Sequence, residues 1–221
     1  PGNSLTDPYT GSGGQSVFPW RGRITTSLAP GIGNSPDGTA GAAAEVAAFF
    51  GTAQASHFTF QVWPPFTGGV SRTPDPALTD FRSLIEHSGI LVQSPVQYSG
   101  PNQWGYRRFI LHQAALCAAA GGVESFCIGS EMRGLTQIRG ANNSFPAVEQ
   151  LIDLAADVRS ILGPDVKIGY AADWSEYFGY QPNDGSGDRF FHLDALWADS
   201  NINFIGIDNY MPLSDWRNGR D

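Results

Sequence analysis

The sequence FCIGSE at residues 126–131 decides the fold of this chain. Its three leading apolar residues follow the helix-stop pair Gly121-Gly122, and the run ends in Gly-Ser directly before Glu131. A short apolar run between turn residues is typical of a buried strand in a parallel sheet. Parallel α/β sheets place their ligand sites at the carboxyl ends of the strands. We therefore expect Glu131 to face solvent at the mouth of a site.

Two later stretches repeat this pattern of a strand that ends in an acid. Residues 167–172 (KIGYAA) lead into Asp173 and Glu176, and residues 203–207 (NFIGI) lead into Asp208. If the strands are parallel, their carboxyl ends meet at one edge of the sheet. The sequence therefore predicts a single rim that carries several carboxylates.

A helix is predicted between the first two of these strands, at residues 144–162. Apolar residues recur there at the spacing of one helix face. Ser144 is expected to open the helix with Pro146 in its first turn, and Gly163 to close it. Strand, helix and strand together form a βαβ unit, which requires parallel strands joined by a right-handed crossover.

Other elements follow from the same signals. A helix at residues 37–51 is expected to begin at Asp37 as its N-cap. A second helix at residues 104–121 would bury a face made by Phe109, Ile110, Ala114, Cys117 and Ala118. The remaining predictions are a strand through Phe58, Phe60 and Val62 and short helices at residues 77–86 and 191–197.

Length and composition indicate one incomplete domain. The chain has 221 residues, 41% of them apolar, which is enough for one core. A barrel of eight βα repeats needs about 250 residues. Some strands of such a barrel would therefore lie beyond the ends of the sequence. Residues 1–36 would be loop-rich, 56–103 an insertion or lid, and 104–221 the core βα repeats.

Charge and residue spacing argue against several kinds of partner. The net charge is −8 with only 13 Lys and Arg, which disfavours a nucleic-acid surface. No stretch has the length of a membrane span. The four histidines lack the spacing of a zinc site, and no phosphate-binding loop is present, so no metal or cofactor is expected. A hard cation such as calcium at the acidic rim is left open.

Cys117 and Cys127 are expected to be free, buried thiols.

Several motifs resemble the TIM-barrel-like domain of the gene transfer agent and phage tail hub protein, which is usually described as glycoside-hydrolase-like. The motifs are residues 9–11 (YTG), 18–24 (FPWRGRI), 106–110 (YRRFI), 128–136 (IGSEMRGLT), 168–178 (IGYAADWSEYF) and 205–216 (IGIDNYMPLSDW). The resemblance implies an α/β fold of the (β/α)8 TIM-barrel type that lacks its first and last strands, which would lie beyond both ends of the sequence. It also implies a phage-like particle protein, made in the bacterial cytoplasm and located at the tail tip, with other tail proteins and cell-envelope glycan or peptidoglycan as partners.

Glycoside cleavage requires two carboxyl groups that flank the scissile bond. Barrel glycosidases of the type that the chain resembles carry the acid/base glutamate at the end of the fourth strand, which is similar to the position of Glu131. Those families commonly have asparagine before this glutamate, whereas this chain has Ser130. Their second glutamate ends a later strand, outside this sequence, so Asp173, Glu176 and Asp208 are the partners available here.

Each of these residues also has a purely structural interpretation. Glu131 can form an ion pair with Arg133, and Asp173 and Asp208 can cap turns. The remaining candidates for substrate binding are the polar Ser130 and Arg133 and the aromatic Trp174, Tyr177, Tyr210 and Trp216, although aromatic residues after strands also simply cover a barrel mouth. Two functions therefore remain open: an inactive barrel that contacts envelope glycan, which we favour, and an active glycosidase that cleaves cell-wall or capsular polysaccharide.

Overall fold

The computed structural model describes residues 32–60 and 96–209 of the chain. The predicted helix at residues 77–86 and the candidates Tyr210 and Trp216 lie outside these residues. The described helices and strands are, in chain order, α1 (Ala40–Phe50), β1 (Phe58–Phe60), β2 (Val96–Tyr98), α2 (Tyr106–Ala119), β3 (Ser125–Ser130), α3 (Arg133–Thr136), α4 (Pro146–Leu162), β4 (Lys167–Asp173), α5 (Trp174–Tyr177), α6 (Asp194–Trp197) and β5 (Phe204–Asp208).

The three predicted strands form one parallel sheet. Its order is β3-β4-β5, so consecutive strands are neighbours. A separate antiparallel pair consists of β1 and β2. The described residues do not form a closed barrel. Parallel pairing and the intervening helix confirm the predicted βαβ unit, because adjacent parallel strands need such a crossover.

Helix α4 supplies much of the core that supports the sheet. Its buried residues recur every three or four positions, so that one face packs inward. Leu151, Leu154 and Val158 on this face are fully buried. Pro146 occupies the first turn and Gly163 ends the helix with φ 90°, as the sequence predicted.

The starts of two helices differ from the prediction. Helix α1 begins after Thr39, whose hydroxyl accepts a hydrogen bond from the Ala42 amide at 3.2 Å. Asp37 instead accepts hydrogen bonds from Arg139, at 2.7 Å from its amide and 2.8 Å from Nε. At α4 the N-cap is Phe145, one residue after Ser144, and it makes no side-chain cap. The N-cap therefore lies two residues after the predicted position in α1 and one residue after it in α4.

The buried face of α2 also differs from the prediction. Phe109 is 56% exposed. Arg107 faces inward instead. Its Nε donates to the Ala53 carbonyl at 2.9 Å, and its guanidinium pairs with Asp157 of α4. A buried guanidinium is tolerated because these acceptors satisfy it. The apolar pattern alone could not place an arginine on the inner face.

The sheet is covered on one face by the described helices. Ile128, Ile168 and Tyr170 on that face are fully buried. Burial on both faces was expected, but Cys127 on the opposite face is exposed, because no described element packs against it. Cys117 and Cys127 are both free, as predicted, but neither is fully buried. Among the residues that the structure describes, no helix has the length and apolar character to cross a membrane.

Candidate functional site

The carboxyl ends of β3, β4 and β5 lie side by side. Asp173 and Asp208 are direct partners in the register of β4 and β5, and Ser130 pairs with Ala171 two residues before Asp173. The backbone amide of Glu131 donates to the Ala171 carbonyl at 2.8 Å. The structure therefore brings the predicted acids to one rim, as the parallel topology requires.

A hydrogen bond spans the middle strand of this rim. The Ser130 hydroxyl donates to Asp208 Oδ2 at 2.9 Å, so it joins β3 to β5. The register places Ala171 and Gly206 between the two residues, on the same face of the sheet. Because both are small, the longer side chains can meet above β4. Ser130 was predicted as a substrate-binding residue, and here it orients one of the acids.

Glu131 follows β3 in an unusual backbone conformation. Its φ is 53°, in the left-handed region that side chains other than glycine rarely adopt. Such a conformation costs roughly 1–2 kcal/mol and is found where the surrounding structure enforces it. Glu131 is only 8% exposed. The expectation that it faces open solvent was therefore wrong, since the turn that carries it is folded back against β4.

Glu176 lies at the centre of a fully buried hydrogen-bond network. Tyr170 donates its hydroxyl hydrogen to this carboxylate, 2.9 Å from Oε1 and 3.1 Å from Oε2. The Thr136 hydroxyl and the Asp173 amide donate to it as well, the amide at 3.2 Å. The Tyr170 oxygen in turn accepts from the Met132 amide at 2.8 Å. Glu176 thereby joins the turns that follow β3 and β4.

Burial changes the acidity of this network. Loss of solvent raises the pKa of Glu176 to about 7, although the hydrogen bonds from Thr136 and Tyr170 oppose the rise. Burial and the adjacent Glu176 also raise the pKa of Tyr170 well above its ordinary value. Glu176 was predicted as a possible partner of Glu131 in catalysis. Because it is 0% exposed, its carboxylate does not face solvent.

A second, partly exposed network surrounds Asp173. Its carboxylate accepts hydrogen bonds from both the amide and the hydroxyl of Ser175, the amide at 2.8 Å, and so caps α5. Arg133 Nη1 donates to the Ser175 hydroxyl oxygen at 2.9 Å. The capping role that the sequence left open for Asp173 is therefore realised, and Arg133 is joined to it through Ser175.

Exposed aromatic side chains adjoin this rim. Trp174 and Tyr177 on α5 are 38% and 54% exposed, and Phe178 directly after it is 46% exposed. The rings of Trp174 and Phe178 lie 6.3 Å apart. The ring of Phe191, which is 58% exposed, lies beside Gly179, the residue after Phe178. Phe178 and Phe191 were not among the predicted site residues, although Phe178 directly precedes the turn residue Gly179.

The described residues contain no group of three or more His, Cys, Asp or Glu side chains placed to hold a metal ion. His192 is a buried histidine that the sequence did not single out. It is 5% exposed, and neither ring nitrogen has a hydrogen-bond partner. Burial lowers the pKa of His192 to about 4. Its ring packs against Phe145, with centroids 5.4 Å apart, so it is a neutral core residue.

Comparison with known proteins agrees with the resemblance in the motifs. No curated protein matches the chain. A family profile of the GTA TIM-barrel-like domain, where GTA stands for gene transfer agent, matches residues 104–221. This range is more than half of the 221 residues and contains the whole parallel sheet with its acidic rim. The chain therefore belongs to the GTA TIM-barrel-like domain family.

Proposed function

We propose that this chain is the glycan-contacting domain of a tail hub protein in a phage-like gene transfer agent particle. The membership in the GTA TIM-barrel-like family supports an origin in such a particle. In this proposal the acidic rim contacts glycan of the recipient cell envelope while DNA is delivered. Other tail proteins would hold the domain at the tail.

One observation carries the glycan proposal: paired carboxylates stand beside exposed aromatic rings. Asp173 and Asp208 are register partners, and Trp174 follows Asp173 directly. A sugar presents hydroxyl groups at its edge and an apolar C–H face. Carboxylate oxygens accept from the hydroxyls, and aromatic rings cover the apolar face. A site that combines an apolar lining with a few placed polar groups is typical of small-molecule recognition.

The burial of the two glutamates favours contact over cleavage. Glycosidases need a proton donor and a second carboxylate that both reach the scissile bond. Glu176 is 0% exposed and Glu131 is 8% exposed. The more accessible acids, Asp173 and Asp208, are each engaged by a serine. This arrangement is suited to holding a glycan.

Binding to purified peptidoglycan tests the proposal. We expect the full-length protein to co-sediment with sacculi and Trp174→Ala to lower the affinity about tenfold, because loss of one stacking ring removes about 1 kcal/mol or more. Phe109→Ala is the matched control, since Phe109 is also a largely exposed aromatic residue but lies on α2. Equal binding by the two variants would contradict a role for the rim. Antibody labelling of purified particles tests the tail location separately.

Cleavage is the second candidate function, and the conformation of Glu131 supports it. A carboxylate held at φ 53° directly after a parallel strand is the kind of strained residue that occurs at active sites. Release of reducing ends from peptidoglycan measures this activity. If Glu131 is the acid/base, Glu131→Gln should lower turnover by at least about a hundredfold. Turnover equal to that of the unmodified protein would exclude Glu131 from catalysis.

A further inference from the structure

We propose that Tyr170 and Glu176 are positioning residues that hold Glu131 in its left-handed conformation at the rim. The inference rests on the proposed function, because Glu131 matters at the rim only if the rim meets a glycan. Neither residue would touch the ligand. Both are 0% exposed, and they act through the backbone that carries Glu131.

Three consecutive residues at this turn are each tied to another strand of the sheet. Ser130 is bonded through its side chain to Asp208 on β5. The Glu131 amide donates to the Ala171 carbonyl of β4 at 2.8 Å. The Met132 amide donates to the Tyr170 hydroxyl at 2.8 Å in a buried bond. The turn is thereby fixed on both sides of Glu131.

Glu176 determines which way the Tyr170 hydroxyl points. A phenol has one hydrogen to donate, and the Glu176 carboxylate takes it. The lone pairs of the Tyr170 oxygen then remain to accept the Met132 amide. Without an acceptor at Glu176, the hydroxyl would lose the partner that orients it. The two side chains therefore work as one unit.

The Glu176 carboxylate also binds the end of helix α3, which follows the turn. Thr136, at the end of α3, donates its hydroxyl to Glu176 Oε1. The Asp173 amide donates to Oε2 at 3.2 Å, which locks the Glu176 side chain in a capping box at the start of α5. Met132 and Thr136 lie at the two ends of helix α3, so both ends of the segment that follows Glu131 are anchored to the buried Tyr170–Glu176 pair.

Two tyrosine variants separate positioning from general stability. Tyr170→Phe removes only the hydroxyl. Tyr106→Phe is the matched control, because the Tyr106 hydroxyl donates to the Ile128 carbonyl of β3 at 2.9 Å, two residues before Ser130. Hydrogen exchange of the full-length protein, followed on the peptide that contains Met132, reports the turn. A crystal structure of each variant reports φ of Glu131.

We expect the Met132 amide to exchange at least about tenfold faster in Tyr170→Phe, with Glu131 leaving the left-handed region, and neither change in Tyr106→Phe. Peptidoglycan affinity should fall with Tyr170→Phe, because the released turn also carries Ser130, whose hydroxyl holds the Asp208 carboxylate. If Tyr170→Phe does not fold, Thr136→Val provides the same test from the other end of α3. An unchanged turn would overturn the inference. A released turn in a protein that never binds peptidoglycan would support the positioning role and refute the proposed function.

Discussion

The Ser130 hydroxyl donates a hydrogen bond to Asp208 Oδ2 at 2.9 Å, across the strand that separates the two residues. This bond holds the Asp208 carboxylate above the small Ala171 and Gly206. It depends on three parallel strands ending together, so the topology of the sheet creates it.

Ser130→Ala should weaken peptidoglycan binding by about threefold to tenfold with little change in stability. The bond is exposed, and the net contribution of such a bond to folding is about 1 kcal/mol or less. Its loss instead leaves the Asp208 carboxylate free to rotate. Ser125→Ala is the control, because it alters the same strand at its opposite, exposed end. Titration of both variants with soluble peptidoglycan fragments makes the comparison. Identical affinities would separate Asp208 from the glycan site.

Glu176 should make the folded protein less stable as the pH rises. In the unfolded chain the pKa of this carboxyl returns to its ordinary value of 4.5, whereas in the folded protein it is about 7. Between these values the folded state holds a proton that the unfolded state has lost. Stability therefore falls across this window by about 3 kcal/mol. Urea unfolding of the unmodified protein and of Glu176→Gln from pH 4 to 8 isolates this contribution as the difference between the two stability profiles.

His192 should have the opposite effect on stability. The pKa of its ring is about 4 in the folded protein and 6.5 in the unfolded chain. Between these values the unfolded state binds the extra proton, so stability rises with pH by about 3 kcal/mol. The two opposing contributions nearly cancel between pH 4.5 and 6.5.

Replacing either Glu176 or His192 should therefore leave the pH dependence of stability that the other residue causes. His192→Phe keeps an aromatic ring beside Phe145 and removes two buried nitrogens without partners, so it should also raise the overall stability. Its unfolding free energy should fall between pH 4.5 and 7, whereas that of Glu176→Gln should rise between pH 4 and 6.5. Parallel pH profiles for the two variants would show that these groups do not govern the pH dependence.

Arg107 should be costlier to replace than the neighbouring Arg108. Its guanidinium pairs with Asp157 and donates to the Ala53 carbonyl at 2.9 Å, and its side chain is 8% exposed. Arg107→Met leaves the Ala53 carbonyl without this donor and leaves Asp157 with the Ala55 amide at 3.3 Å but no cation, so the free energy of unfolding should fall by about 3 kcal/mol. The neighbouring Arg108 stacks on the rings of Tyr98 and Trp104. Arg108→Met should cost about 1 kcal/mol, and an equal loss for both would contradict this account.

Most of the parallel sheet was predictable because its signals are local. Apolar runs end at turn residues and acids, and the helix between them has one apolar face and a glycine stop. These features predicted β3, β4, β5 and α4 to within two residues. The inner face of α2 was not predictable, because Arg107 is buried only where Asp157 and the Ala53 carbonyl meet it.

The sequence by itself determined that acidic residues end successive parallel strands, since strand polarity and the βαβ order require those ends to share one edge. Only the tertiary structure decided what each acid does. Glu176 is buried by Tyr170 and Thr136, Asp173 caps α5, and Asp208 is held by Ser130. A carboxylate has the same chemistry at all of these positions. Burial and hydrogen-bond partners set its role, and both depend on residues distant in the sequence.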